Sequence, residues 1–307
     1  MKKIIVVAGA TGHQGGSVVR GLLEQSAFDA HDTVIYAVSR DPASPKAQTL
    51  TALSPAIKIL QGDLSAPAAI LKGLPAKPWA IYIMSNPNKT EYTDATALID
   101  AAIKAGAQRI VYSSVDRGYS SADGYNRPSK VQHWQSKHEV EAYLRKRVAE
   151  NKACTYTIIR PVFFLDNFTP NFFGKLTATL WKDYITNRTL KLIDTIDIGK
   201  FAACALLDHS DPRFTNTEVN LAGDELTFGQ ANDIFKKKTG QDLPTTWKWL
   251  TGLVLWLAKD FKLMTDFLVA EGYAAPLGSK DVPFHMTTFE EWVDESILAK
   301  TLAKKQS

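Results

Sequence analysis

Three glycines, Gly9, Gly12 and Gly15, stand in G-x-x-G-x-x-G spacing inside the stretch Ile4–Gly16, IIVVAGATGHQGG. Glycines so spaced let a backbone close on a pyrophosphate. Gly9 permits a tight turn, Gly12 leaves room for the phosphates, and Gly15 lets a helix pack on a strand. Arg40 follows directly on the β-rich run Thr33–Ser39 (TVIYAVS). A carboxylate at that point would hold the ribose 2′-hydroxyl of NAD, whereas a guanidinium suits the 2′-phosphate of NADP. Lys46 is a second candidate phosphate partner. His133 and Lys137 share one helical stripe with Val140 and Leu144, so both face inward toward a crevice. The competing reading is surface pairing of Lys137 with Glu141, one turn on.

These residues need elements to hold them. Ile4–Val7 reads as a buried strand, and the segment Ser17–Gln25 has helical periodicity. The helix N-terminus that follows the turn would face the phosphates with unpaired N–H groups and a positive dipole end. Ile57–Gln61 is a third strand, followed by Gly62, Asp63 and Leu64. Asp63 either caps the next turn or accepts from an adenine amino group, and Leu64 lines the same place. Ala80–Met84 is a fourth strand that ends in Ser85, Asn86 and Pro87. Ligands of open parallel sheets bind beyond the carboxyl ends of the strands, so these three residues are expected to line the crevice, as is Ser113 at the end of strand Arg109–Ser113. Asp94–Ala105 and Gln132–Glu150 read as helices, and Ser114–Lys130 as a mobile loop over the site. Thr155–Ile159 is strand six. The alternation predicts an α/β, Rossmann-type doubly wound parallel sheet.

After Phe163 the pattern changes. Asp197–Leu207 and Leu226–Lys238 read as helices and Glu218–Leu221 as a strand. Aromatics cluster between Phe163 and Trp181 and again in WKWLTGLVLWLAKDF, and both stripes are expected to be core. The expected division is a dinucleotide-binding domain over 1–165 with 192–222 returning to it. A smaller, mostly helical substrate lobe is expected over 166–191 and 223–307.

The 307 residues are 45% hydrophobic and 22% charged, with a net charge of +4. That excess is too small to argue for nucleic acid by itself, and no direct nucleic-acid binding is expected. Cys154 and Cys204 lack metal-ligand spacing, so neither zinc nor a disulfide is expected. The longest apolar run, Trp249–Ala258, is too short to cross a bilayer. A strand at the N-terminus leaves no room for a signal peptide, so no membrane association and a cytoplasmic location are the expectations.

The turn Gly9-Ala10-Thr11-Gly12-His13-Gln14-Gly15, Arg40, the segment His133–Glu141 and the run Arg160–Phe168 (RPVFFLDNF) together resemble the NmrA-like family of atypical short-chain dehydrogenases/reductases. The resemblance implies NADP(H) as cofactor. It adds Thr11, His13 and Gln14 to the cofactor site, together with Lys137, Pro161, Phe163 and Phe164. Ordinary members of the superfamily carry Tyr-x-x-x-Lys on this helix, and here His133 takes the Tyr position while Lys137 is kept. The usual phenolic acid is therefore missing, a loss worth about 10²–10⁴-fold where a proton must be delivered. An iminium or conjugated acceptor needs that acid less, and His133 or Lys137 are the alternative donors. The family implies two functions. One is an NADPH-dependent reductase of a bulky aromatic or hydrophobic metabolite, coupled or not to rearrangement or cyclisation in secondary metabolism. The other is a non-enzymatic dinucleotide sensor that binds a protein partner.

Overall fold

The computed structural model describes residues 2–119, 126–186, 188–208, 211–278 and 281–304. The chain alternates strand and helix from its start: β1 (Lys3–Val7), α1 (His13–Glu24), β2 (Thr33–Ser39), α2 (Pro45–Thr51), β3 (Ile57–Gln61), α3 (Pro67–Lys72), β4 (Ala80–Met84), α4 (Glu91–Lys104), β5 (Arg109–Ser113), α5 (Gln132–Glu150) and β6 (Thr155–Pro161). Then follow β7 (Phe163–Phe164), α6 (Phe172–Tyr184), β8 (Leu190–Ile193), α7 (Thr195–Leu207), β9 (Thr217–Leu221) and β10 (Asp224–Leu226). The chain closes with α8 (Phe228–Thr239), α9 (Lys248–Leu257), α10 (Lys259–Ala270), α11 (Phe289–Glu295) and α12 (Ile297–Ala303).

Seven strands form one sheet in the order β3-β2-β1-β4-β5-β6-β9, and the pairs from β3 through β6 are parallel. The order reverses between β1 and β4, the switch point at which such sheets bind ligands. β1 is buried because it runs at the centre: Ile5, Val6 and Val7 are wholly enclosed. Val6, Ile81, Ile110 and Ile158 from four adjacent strands pack with Leu98 and Ile99 of α4 and Val140 and Leu144 of α5. This is the doubly wound architecture expected from the alternation.

The chain divides into two compact units. The first comprises Met1–Val115, His133–Arg160 and Thr195–Val219, and the second Asp116–Gln132, Pro161–Asp194 and Asn220–Ser307. The second unit is not only helical. It holds a three-stranded sheet, β10-β8-β7, in which β8 pairs antiparallel with β10 and parallel with β7. Strands of two to four residues carry too little alternation to stand out from sequence.

Several boundaries differ from the apolar pattern. α1 begins at His13 rather than Ser17 and α4 at Glu91 rather than Asp94, because first-turn residues are polar or glycine and show no apolar stripe. The expectation that both aromatic stripes are core fails for the second. Phe163, Phe168, Trp181, Phe289 and Trp292 do form the second unit's core. Trp247, Trp249 and Trp256 are instead 66–77% exposed on α9 and its N-cap, since Thr251 and Leu255 occupy that helix's buried face. Within the expected mobile loop, Ser114, Asp116 and Arg117 are buried, with Asp116 accepting from the Gly118 amide and the Asn220 side chain. Residues 120–125 of that segment lie outside the described residues. Among the described residues no helix is long and apolar enough to cross a membrane, and no cluster of side chains could hold a metal ion.

Candidate functional site

The glycine turn links β1 to α1. Gly9 sits at φ +65°, a left-handed conformation that costs glycine nothing, and its N–H-accepting carbonyl closes on the Gly12 amide at 2.9 Å. A Cβ on Gly15 would lie 2.3 Å from the Gly9 oxygen and 2.9 Å from the Ala10 Cα, so only glycine lets α1 start this close to the turn. Gly12 is different. It is the N-cap of α1, extended at φ −88° and exposed, with no side-chain cap on the helix amides. A Cβ there meets only the Gly9 oxygen, at 3.3 Å. The first turn of α1 thus presents its amides to whatever lies outside.

Thr11 is half-buried and His13 exposed in the same turn. Gln14 points inward instead: its Oε1 accepts from the Ser113 hydroxyl at 2.7 Å and from the Tyr82 hydroxyl at 3.1 Å. It therefore ties α1 to the carboxyl ends of β4 and β5. Arg40 is exposed immediately beyond β2 and makes no ion pair among the described residues. Lys46 is exposed on α2. Asp63, beyond β3, caps its own turn by accepting from the Ser65 amide and hydroxyl, both at 2.9 Å. Those bonds, and then the Arg40 charge, hold its carboxyl below the ordinary range. The ends of β2 and β3 thus carry a guanidinium and a carboxylate near each other. Leu64, Ser85 and Asn86 come together with Met84 and Glu91 around a cleft of about 30 Å³, and Pro87 lies exposed beside it.

Lys137 is where the side chains converge. Its Nζ donates to Ser85 Oγ at 3.0 Å, just beyond β4, and to the carbonyl of Ser113, the last residue of β5, at 3.4 Å. It pairs with Glu91 Oε1 at 3.2 Å and lies 5.7 Å from the Tyr112 ring centre. The Ser85 hydroxyl donates to the same Glu91 oxygen at 2.8 Å and lies 3.3 Å from the Tyr112 hydroxyl. Burial lowers the Lys137 pKa, and the Glu91 charge opposes that. The phenols of Tyr82 and Tyr112 are raised by burial and stay neutral. His133, one turn earlier, is half-buried with its ring edge-on to Trp134 at 6.0 Å.

The surface pairing of Lys137 with Glu141 is not formed. Glu141 is fully buried and takes Arg160 by two bonds, at 3.0 and 2.5 Å, as well as the Ser114 hydroxyl at 2.5 Å. Arg160 also binds Glu218 on β9, which pairs with Arg145 of α5. Pro161 closes β6. Phe163 and Phe164 form β7 in the second unit, where Phe163 is buried against Phe168 at 6.0 Å.

Sequence reasoning missed Glu91, because the α4 stripe was read from Asp94 onward. The available signal was chemical: an inward lysine needs an anion, and Glu91 is the acid that follows the Ser85–Pro87 strand end.

A parallel doubly wound sheet with a glycine turn at its switch point and a lysine aimed at two strand ends defines a Rossmann-type dinucleotide-binding fold. Residues 1–247 match the NmrA-like family, and the chain belongs to it. It is 30% identical over 262 residues to an NmrA-like family domain-containing oxidoreductase of Aspergillus hancockii, covering 78% of this chain and 73% of that one. Matches to three further oxidoreductases of the family span about half of their length. In fold, the chain is similar to the triphenylmethane reductase of Citrobacter sp. crystallised with NADP(H), at a TM-score of 0.71 and 18% identity over 97% of this chain and all of that one. It is equally similar to NmrA, a negative transcriptional regulator crystallised with NAD, at 0.70 and 17% identity over 100% of this chain and 98% of that one.

Proposed function

We propose that this chain is an NADPH-dependent oxidoreductase acting on a bulky aromatic or hydrophobic metabolite that carries a C=N or a conjugated C=C or C=O acceptor. The observation that carries this reading is Lys137, a half-buried ammonium held at the carboxyl ends of β4 and β5, at the same end of the sheet as the glycine turn.

The residues fit the cofactor. The exposed extended Gly12 and the uncapped amides of α1 suit a pyrophosphate, and the exposed Arg40 suits a 2′-phosphate. Thr11, His13, Gly9 and Gly15 shape that turn, Asp63 and Leu64 would flank the adenine end, and Ser85, Asn86, Pro87 and Ser113 would line the nicotinamide end. Pro161, Phe163 and Phe164 belong to the same proposal. The first unit would carry the dinucleotide and the second would select the substrate. Bound NADPH supplies a hydride.

The chain's own work is to orient and to move a proton. The Lys137 ammonium would hydrogen-bond the nicotinamide ribose of a bound cofactor and would provide the proton when the acceptor becomes an enolate or alkoxide. An iminium acceptor takes hydride alone and makes no such demand. Lys137, rather than His133, is the favoured donor because its nitrogen is fixed by three named contacts.

A cofactor-depletion assay with NADPH against a panel of imines, quinones and conjugated aromatic carbonyls tests the reading. NADPH oxidation with at least one acceptor is expected. NADPH binding without turnover on any of them would assign the chain to the sensing class instead.

A further inference from the structure

Glu91 is the first residue of α4 and fully buried. It caps no backbone amide among its bonds. Its Oε1 accepts from Ser85 and pairs with Lys137, while its Oε2 has no hydrogen-bond partner among the described residues. As a contribution to folding this is a poor arrangement, since apolar residues of equal volume stabilise a core as well or better than a buried ion pair. Its chemistry explains the placement better.

Lys137 keeps 12% side-chain exposure, so its charge has lost most of its water. Its other contacts, Ser85 Oγ and the Ser113 carbonyl, orient the nitrogen but carry no charge. The titratable groups around it come from several elements. Tyr112 of β5 presents its ring, and Tyr82 of β4 is turned to Gln14. On α5 itself, His133 lies one turn back, and Glu141, one turn on, is taken by Arg160 and Ser114. Among the described residues, Glu91 is the anion within ion-pair reach of Nζ.

We propose that Glu91 is the positioning residue of this site: it keeps Lys137 an ammonium and aims Nζ between the ends of β4 and β5. What the ammonium then does rests on the function proposed above, but its charge state does not.

The test is therefore run first on ligand-free protein. Lysine labelled with ¹³C at Cε is titrated by NMR, and Lys137→Met identifies the signal. Glu91→Gln keeps the volume and an acceptor oxygen for Ser85 but removes the charge. Lys137 in that variant is expected to lose its proton about one to three pH units lower than in the unaltered protein, the range expected for removing an opposite charge at this distance. Glu91→Asp, which retains the charge, is expected to restore most of the difference and serves as the comparison if Glu91→Gln does not fold. Lys137 titrating at the same pH with and without the carboxylate would overturn the inference. With an accepted substrate, the alkaline limb of kcat/KM is expected to move down in Glu91→Gln by the same amount. A moved NMR titration with an unmoved kinetic limb would leave Glu91 in its role and refute the use of the Lys137 proton in turnover.

Discussion

Two glycines three residues apart are expected to fail in opposite ways when a methyl group is added. At Gly15 the new Cβ would sit 2.3 Å from the Gly9 oxygen, 2.6 Å from the Gly9 carbonyl carbon and 2.9 Å from the Ala10 Cα, all backbone atoms. Alanine inside a helix ordinarily gains roughly 0.5–1 kcal/mol over glycine. With three backbone atoms inside 3.0 Å, forcing the turn away from α1 costs at the upper end of the overpacking range, about 2–3 kcal/mol, so the net expectation for Gly15→Ala is a loss of about 1–2.5 kcal/mol. At Gly12 the Cβ meets one atom at 3.3 Å, and φ −88° with ψ 176° suits any residue. Only part of the cap preference is lost, less than about 1 kcal/mol. The methyl group would, however, stand where the pyrophosphate is proposed to lie. Urea denaturation and calorimetric titration with NADPH, run on both variants, separate the two roles. Gly12→Ala is expected to keep its midpoint and bind NADPH at least about tenfold more weakly, a difference of about 1.4 kcal/mol. A Gly15→Ala protein as stable as its parent would refute the steric argument, and a Gly12→Ala protein with full affinity would refute the placement of the phosphates.

Arg40→Ala is expected to abolish a preference for NADPH over NADH of about tenfold or more while leaving NADH affinity nearly unchanged; equal affinities in the parent would remove the role assigned to Arg40. Lys137→Met should lower turnover by about 10²-fold or more. It should also destabilise the fold by about 3–5 kcal/mol, because it strands Glu91 without a counter-charge. The double variant Lys137→Met with Glu91→Gln is expected to regain most of that stability in denaturant titration and none of the turnover, whereas an unchanged stability in Lys137→Met would mean the pair is not buried as described. Burial holds folded Lys137 below 10.5, so the unfolded chain binds more protons in the window between the folded value and 10.5, and the parent's stability relative to the double variant should rise with pH across that window. Glu141→Gln is expected to destabilise the fold by leaving the buried Arg160 with Glu218 as its remaining counter-charge, again read from the denaturation midpoint.

The parts of this protein that repeat a local rule were legible in its sequence. β1, β2 and β4 are continuous apolar runs because both faces of a central parallel strand are covered, and the glycine spacing encodes a backbone requirement no other residue meets. The site was legible only where one residue carries its own chemistry. Lys137 stands on an inward stripe, so its direction could be read from periodicity. Its partner could not be read, because the pairing with Glu91 joins residues 46 positions apart whose approach depends on where β4 ends and α4 begins. The nearer acid, Glu141, satisfied the helical spacing rule but is claimed by Arg160 across the sheet. The exposed tryptophans of α9 mislead for the same reason. Composition marks them as apolar, and only the packing of Thr251 and Leu255 decides which side of the helix is inside.

The two carboxylates divide the labour on α5. Glu141 meets two arginines, Arg160 and Arg145, which Glu218 of β9 shares, so two carboxylates balance two guanidiniums and Arg160 takes Glu141 by two bonds. Such a cluster fixes the helix against the sheet. One turn earlier, Lys137 meets one acid, a serine and a carbonyl, and the acid keeps an unbonded oxygen. That pair is evenly matched and partly open to solvent, the condition under which an ammonium can give up a proton and recover it. A helix anchored by the first cluster can hold the second at the strand ends without the second having to contribute to the anchoring. On the function proposed above, the fixed nitrogen of Lys137 is the group whose position and charge suit proton delivery, while His133, one turn earlier, is half-buried against Trp134.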